Sequence, residues 1–167
     1  MGNTPRVIGI DVSTSKLALV TLYNRRFSVV ELVSTSHSWE ERLDDLHLQF
    51  EDFVGSCLKP GDKVFIEEIP FTQNRQVFGK LIHFLALCRI VLRSHDYSCI
   101  YVNNMTWKKG VGLKGRVVKE DIRKKAIELF GHNRIKDLTQ DSVDALMVGV
   151  YGTLISGELN ESSTTDV

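Results

Sequence analysis

Apolar residues in this chain follow two rhythms, and their order predicts a sheet laid down first and helices that cover it afterwards. Val7-Ile8-Gly9-Ile10 is a continuous apolar run that stops at Asp11 and the polar turn Val12-Ser13-Thr14-Ser15. That is the pattern of a buried strand with a carboxylate at its C-terminal end. Residues 16–23 follow as a second strand, Asn24-Arg25-Arg26 as the turn and 27–33 as a loosely alternating third strand, which predicts an antiparallel meander. Ser38-Trp39-Glu40-Glu41 has the capping-box pattern, and Trp39, Leu43, Leu46, Phe50, Phe53, Val54 and Cys57 recur at helical spacing. A helix is expected over 38–58, stopped by Lys59-Pro60-Gly61. Lys63-Val64-Phe65-Ile66-Glu67-Glu68 repeats the design of the first strand, and Pro70 ends it. The crossover rule places this strand parallel to the first and beside it, so Asp11 and one of the two glutamates share a sheet edge. Alternation along the strand favours Glu67.

Residues 74–93 predict a long helix that is apolar around most of its circumference. One face (Val77, Leu81, Phe84, Cys88, Val91) can cover the sheet, whereas Phe78, Ile82 and Leu85 exceed what one face needs. The excess points to a partner subunit or to a helix sandwiched within its own core. His83 reads as a packed histidine. Residues 98–102 give a fifth strand, and Gly110 to Arg116 reads as a flexible loop. Val118, Ile122, Ala126 and Leu129 then mark an amphipathic helix, closing at Gly131, whose exposed side is Lys119, Arg123, Lys124 and Lys125. The last helix is read over 137–151 with Thr139 as N-cap and Val143, Leu146, Met147, Val150 and Leu154 as its core stripe. Asp141 and Asp144, three residues apart, share one of its faces. The polar tail is expected to be disordered, leaving one domain over 1–157 and a tail over 158–167.

Composition changes this picture in two places. The 167 residues suit a single globular domain, with no apolar run long enough for a membrane span and no secretory leader pattern, so a soluble, cytoplasmic protein is expected. Cys57, Cys88 and Cys99 are widely spaced inside apolar patterns and read as reduced core thiols. The formal net charge is zero, but residues 108–136 hold ten of the 21 Lys and Arg and only three acids. That segment is strongly basic and the remainder equally acidic. Lys108, Lys109, Lys114 and Arg116 flank the glycine-rich loop beside Trp107, which favours binding to a phosphate backbone, and Lys119 opens the next helix, within reach of a reacting phosphate.

Four carboxylates remain, at three separated places: Asp11, Glu67, Asp141 and Asp144. If they converge, their repulsion needs cations, and hard oxygen ligands suit Mg2+ or Mn2+. Two such ions can assist an in-line phosphoryl displacement without a covalent intermediate. No Cys/His zinc spacing and no Ser-His-acid arrangement competes.

Gly9-Ile10-Asp11, Val64-Phe65-Ile66-Glu67-Glu68, the loop Val111-Gly112-Leu113-Lys114 and Gln140-Asp141-Ser142-Val143-Asp144-Ala145-Leu146 together resemble the RuvC Holliday-junction resolvases of the ribonuclease H-like superfamily. The resemblance runs from about Arg6 to Gly152, and its last motif is the most specific. It implies an α/β ribonuclease H-like fold with a five-stranded mixed sheet, three antiparallel strands then two parallel. It also implies a homodimer through helix 74–93 and a magnesium-dependent endodeoxyribonuclease that resolves four-way DNA junctions, with two ions per active site. Asp11, Glu67, Asp141 and Asp144 match the family's metal-binding catalytic tetrad. Lys119 falls one residue from the place of its active-site lysine. Phe71 stands next to Pro70, where the family's junction-wedging aromatic is expected. Val12 and Ser13 depart from the Pro and Gly usual after the first Asp, and the divergence resembles that of bacteriophage or organelle members, which implies a bacterial host cytoplasm or an organelle matrix. The alternative within the class is a ribonuclease H-like nuclease acting on other branched DNA or on an RNA–DNA hybrid, since the metal chemistry is common and only the reader of shape differs. Residues 8–16 also resemble the first phosphate loop of sugar kinases and actin-like ATPases, but those proteins need a second domain and a glycine-rich adenosine motif that are not found here. A binding module without catalysis would not need four intact acids.

Overall fold

The computed structural model describes residues 5–69 and 74–162, with side chains described through Gly157. The described elements are β1 (Val7–Val12), β2 (Lys16–Tyr23), β3 (Arg26–Val33), α1 (Trp39–Cys57), β4 (Lys63–Glu67), α2 (Arg75–Ser94), β5 (Cys99–Val102), α3 (Asn104–Gly110), α4 (Lys119–Phe130), α5 (His132–Ile135) and α6 (Gln140–Ser162). The strands form one five-stranded sheet in the order β3-β2-β1-β4-β5. β1 pairs antiparallel with β2 and parallel with β4, and β5 adds parallel to β4. Asn24 and Arg25 take positive φ at the two-residue turn between β2 and β3, the geometry that suits the twist of a tight hairpin. Ser38 caps α1, its hydroxyl accepting from the Glu41 amide at 3.0 Å while the Glu41 carboxylate accepts from the Ser38 amide.

Alternation along the central strands assigns every side chain to one of two layers. Ile8, Ile10 and Val12 of β1 and Val64 and Ile66 of β4 pack under α1 and α2 with Leu46, Phe50, Phe84 and Cys88. Val7 of β1 and Phe65 of β4 face the opposite layer, where Trp107, Ile122, Val143, Leu146 and Met147 cover the sheet. Asp11 and Glu67 have the parity of Val7 and Phe65, so both stand on the face covered by α6.

Glycine fixes how closely α6 can lie. A Cβ on Gly9 would sit 2.1 Å from the Ala145 carbonyl oxygen and 2.6 Å from the Gly149 nitrogen, so helix backbone rests directly on strand backbone. That contact seats the first turns of α6 beside the end of β1.

Several expectations need correction or addition. Residues 104–110, to which no element was assigned, are helical, with Asn103 as N-cap (its Oδ1 accepts from the Met105 amide at 3.0 Å) and Trp107 and the C-cap Val111 buried. The short α5 was not foreseen, and α6 continues to Ser162, past the predicted end of the last helix. Arg123 is not on an open basic face: its guanidinium donates to the Ile135 and Leu138 carbonyls at 3.1 and 2.9 Å, tying α4 to the segment before α6. Val118, Leu129 and Leu154 are exposed, leaving Ile122 and Ala126 as the buried stripe of α4. His83 is exposed, with Nδ1 2.7 Å from the Gly79 carbonyl oxygen, instead of packed in the core. Of the three free thiols, Cys88 is buried, Cys99 half-buried and Cys57 exposed. Among the described residues no helix is long and apolar enough to cross a membrane.

Candidate active site

Three elements bring carboxylates to one place. Asp11 is the half-buried penultimate residue of the otherwise buried β1, Glu67 ends β4 one residue beyond the Ile10–Ile66 pair, and Asp144 lies on the second turn of α6. All three line a cleft of about 530 Å³ whose other wall carries Asn104, Lys108, Lys119 and Glu120. Glu68 also reaches the cleft and receives a long contact from Asn103 at 3.5 Å.

Two of the acids are held by neighbours that sequence reasoning did not single out. The Trp107 indole, fully buried, donates from Nε1 to Glu67 Oε1 at 3.2 Å, and the Asn104 amide donates to the same oxygen. A buried indole N–H requires such a partner, so Trp107 orients a carboxylate and offers no surface for stacking on nucleic acid. Gln140, one turn before Asp144, donates to Asp144 Oδ1 at 2.8 Å. Asn103 followed by Asn104 was a readable cap signal for α3, but nothing in the spacing tied Trp107 to Glu67.

Asp141 is placed differently. It does not line the cleft; its carboxylate lies 3.1 Å from the Lys16 ammonium, which is also 3.5 Å from Glu31. Glu31 accepts from the Ser142 hydroxyl at 2.6 Å and from the Thr139 hydroxyl, so the start of α6 is tied to β3. Thr139 also accepts from the Ser142 amide at 3.2 Å, as an N-cap does.

Burial pushes the Asp11 carboxyl well above the usual carboxylate range, and the charges of Glu67, Asp144 and Asp141 push it further. Burial likewise raises Asp144 to about 6 against the pull of Gln140, with Glu67 adding to the rise and Lys108 and Lys119 opposing it. A folded-state pKa above the unfolded one means that this carboxyl's contribution to stability is fully present below about pH 4 and is lost as pH rises through about 6. Asp144→Asn should therefore stabilise the protein in EDTA at pH 7.5, on the order of 2 kcal/mol, and the gain should vanish near pH 4. Urea unfolding at the two pH values checks this; an equal effect at both would remove the electrostatic explanation.

Such a set of acids fits a hard divalent cation. Among the described residues no three acidic, His or Cys side chains stand close enough to enclose an ion by themselves. Mg2+ does not demand this, because it retains water and is commonly held by one or two carboxylates together with substrate phosphate. Asp11, Glu67 and Asp144 fit that mode, and their mutual repulsion is the condition that a cation relieves.

A basic groove of about 700 Å³ adjoins the cleft, sharing Asn104, Lys108 and Val117 with it and lined further by Met105, Lys109, Lys114 and Gly115. Lys108 thus faces both spaces. Lys119, the first residue of α4, lines the cleft opposite Asp144, and Arg116 is exposed near the groove without lining either space. Phe71 and Pro70 lie outside the described residues.

No protein-family model matches the chain, and no curated protein matches it either. Solved structures do, and they define the class: the sheet order and flanking helices are those of the α/β ribonuclease H-like fold. Within that class the chain is similar to RuvC of Thermus thermophilus. The structure described as T. thermophilus RuvC in complex with Holliday junction substrate matches with a TM-score of 0.74 at 16% identity, covering 92% of this chain and 96% of that one. A second Thermus thermophilus RuvC structure matches with a TM-score of 0.70 at 17% identity and the same coverage. At such identities the likeness is one of fold.

Proposed function

We propose that this chain is a structure-selective endonuclease that resolves four-way DNA junctions by paired, divalent-metal-dependent hydrolysis of phosphodiesters. The observation that carries this reading is the convergence of Asp11, Glu67 and Asp144 from three elements in a cleft continuous with a lysine-lined groove. The fold, shared with a RuvC bound to a Holliday junction substrate, supports the choice of a branched substrate over a linear one.

Asp11, Glu67 and Asp144 would hold Mg2+ or Mn2+, with Asp141 as a further ligand for a second ion. When bound, the cations supply neutralisation of the acids, a lowered pKa for water and stabilisation of charge on the leaving oxygen. The chain's own groups do the rest. Trp107 and Asn104 keep one Glu67 oxygen occupied and so aim the other at the cleft. Gln140 does the same for Asp144. Lys119 faces Asp144 across the cleft, where its ammonium can meet charge that grows on the phosphate as water attacks. Lys109 and Lys114 line the groove as positioning contacts.

Positioning and transition-state roles separate kinetically. Lys114→Ala should weaken junction binding and make its salt dependence shallower by roughly one phosphate contact, leaving the saturated rate unchanged. Lys119→Ala should slow the saturated single-turnover rate by about 100-fold at near wild-type affinity. Identical behaviour of the two variants would remove this division of labour.

A partner copy is part of the proposal. Ile82 and Ile90, two turns apart on α2, are 42% and 66% exposed and not used by the chain's own core, while Val77, expected on the face that covers the sheet, is 41% exposed on another side of the helix. Two copies joined there would place two clefts for two opposed strands. Ile82→Glu should yield a folded monomer by sedimentation; a wild type that is monomeric at micromolar concentration would contradict this assembly.

Incubating the protein with Mg2+ and a panel of four-way, three-way, flap, RNA–DNA hybrid and linear substrates tests the reading. Preferential cleavage of the four-way junction is expected. Preference for the hybrid or the flap would assign the same chemistry to a different substrate.

A further inference from the structure

Lys16 belongs to neither the cleft nor the groove, yet it touches the acid cluster. Its side chain is about one-fifth exposed, with its ammonium 3.1 Å from Asp141 and 3.5 Å from Glu31. Glu31 cannot turn away to leave Lys16 to Asp141 alone, because the Ser142 and Thr139 hydroxyls at the start of α6 hold its carboxylate. Lys16 is itself fixed by the turn that follows β1: its amide donates to the Ser13 hydroxyl at 3.0 Å, and its carbonyl accepts from the Ser13 amide at 2.9 Å. Asp141 therefore has a cation of the chain's own beside it, whereas Asp11, Glu67 and Asp144 face a cleft with no ammonium in salt-bridge contact among the described residues.

We propose that Lys16 is a positioning residue that acts as an internal counter-ion for Asp141, holding it out of the cleft so that the DNA-free protein takes up one divalent cation on carboxylates of the cleft alone, with retained water completing its shell. This rests on the nuclease reading and deepens it. Asp141 becomes a ligand for a second cation only when its pairing with Lys16 opens, which ties completion of the site to substrate phosphate, an anion able to attract the ammonium. The acid cluster is thereby divided: three carboxylates repel one another across the cleft, and the fourth is neutralised from behind.

The test is Mn2+ binding without DNA, measured by titration with electron paramagnetic resonance detection of the free ion, on the full-length wild type and on Lys16→Met, Lys16→Arg, Asp141→Asn and Lys16→Met/Asp141→Asn. Wild type should bind one Mn2+ per chain. Lys16→Met should bind a second, or bind the first about fivefold more tightly, since Asp141 loses its counter-ion and its carboxylate becomes free to take part in holding the cation. Lys16→Arg, which keeps the charge, should behave as wild type. In the Asp141→Asn background Lys16→Met should change nothing. That dependence on Asp141 separates counter-ion action from a general loss of fold, which circular dichroism monitors in parallel. Equal Mn2+ binding by wild type and Lys16→Met, or a gain that persists with Asn at position 141, overturns the proposal and leaves the nuclease reading standing. Absence of Mn2+ binding from every variant also overturns the proposal, whereas the nuclease reading fails only if cleavage in Mg2+ is absent as well.

Discussion

Asp11→Asn should abolish metal-dependent cleavage, by about 10³-fold or more, which corresponds to roughly 4 kcal/mol of lost transition-state stabilisation. Junction binding should stay at wild-type strength or tighten, because a negative charge leaves the neighbourhood of the phosphates. The structure makes this substitution a clean one. Asp11 stands at the end of the central strand, with its backbone paired to Ala18 of β2, so an isosteric amide keeps the sheet intact. Its carboxyl is buried among like charges, so the amide removes repulsion as well as a ligand and should leave the protein no less stable. Loss of cleavage therefore cannot be assigned to unfolding when melting and binding are measured alongside single-turnover rates in Mg2+. Nicking by Asp11→Asn at the wild-type rate would remove the site.

The second large effect concerns the backbone contact that creates the site. Gly9→Ala should destabilise the protein by about 3 kcal/mol or more, and Gly9→Val should prevent folding at 37 °C, given that domains of this size are stable by only about 5–15 kcal/mol. The clash would be with the Ala145 oxygen and the Gly149 nitrogen, both backbone atoms, so no side-chain rotation relieves it. Helix α6 would have to lift from the sheet, carrying Leu146 and Met147 out of the core and Asp144 away from Asp11. Gly79→Ala is the control: nothing lies within 4 Å of its added methyl, and it sits inside α2, where Ala is favoured over Gly by about 1 kcal/mol. Urea midpoints that fall for Gly9→Ala and rise for Gly79→Ala are expected. A wild-type midpoint for Gly9→Ala would mean that α6 does not rest on β1 in this way.

What could be read from the sequence follows from which interactions are local. The strands at 7–12, 16–23 and 63–67 announce themselves by apolar runs that end in polar residues, and the parallel placement of β4 beside β1 follows from chain order. Period two along those strands was enough to put Asp11 and Glu67 on one face, and the three-residue spacing put Asp141 and Asp144 on one turn of helix. It was not enough to show which way each acid turns. Asp141, on α6, pairs with Lys16, on β2, and Trp107 donates to Glu67 from forty residues further along the chain. Both are tertiary contacts with no periodic trace. The basic segment also divides in a manner that composition conceals: Lys119 faces the cleft, Lys108 both cleft and groove, Lys109 and Lys114 the groove alone, and Arg123 donates to backbone carbonyls. Helix α3 escaped notice because seven residues with a terminal glycine give less than two turns of pattern.

Paired hydrolysis at a four-way junction is tested most directly with a supercoiled plasmid that extrudes a cruciform, incubated with the protein and Mg2+. Two coordinated nicks on opposed strands, made by a dimer within one binding event, convert the plasmid to a linear form whose ends map to the cruciform base. That linear product is expected from the wild type and not from Asp11→Asn. Nicked circles alone, or equal cleavage of a plasmid lacking the cruciform, would contradict a junction resolvase.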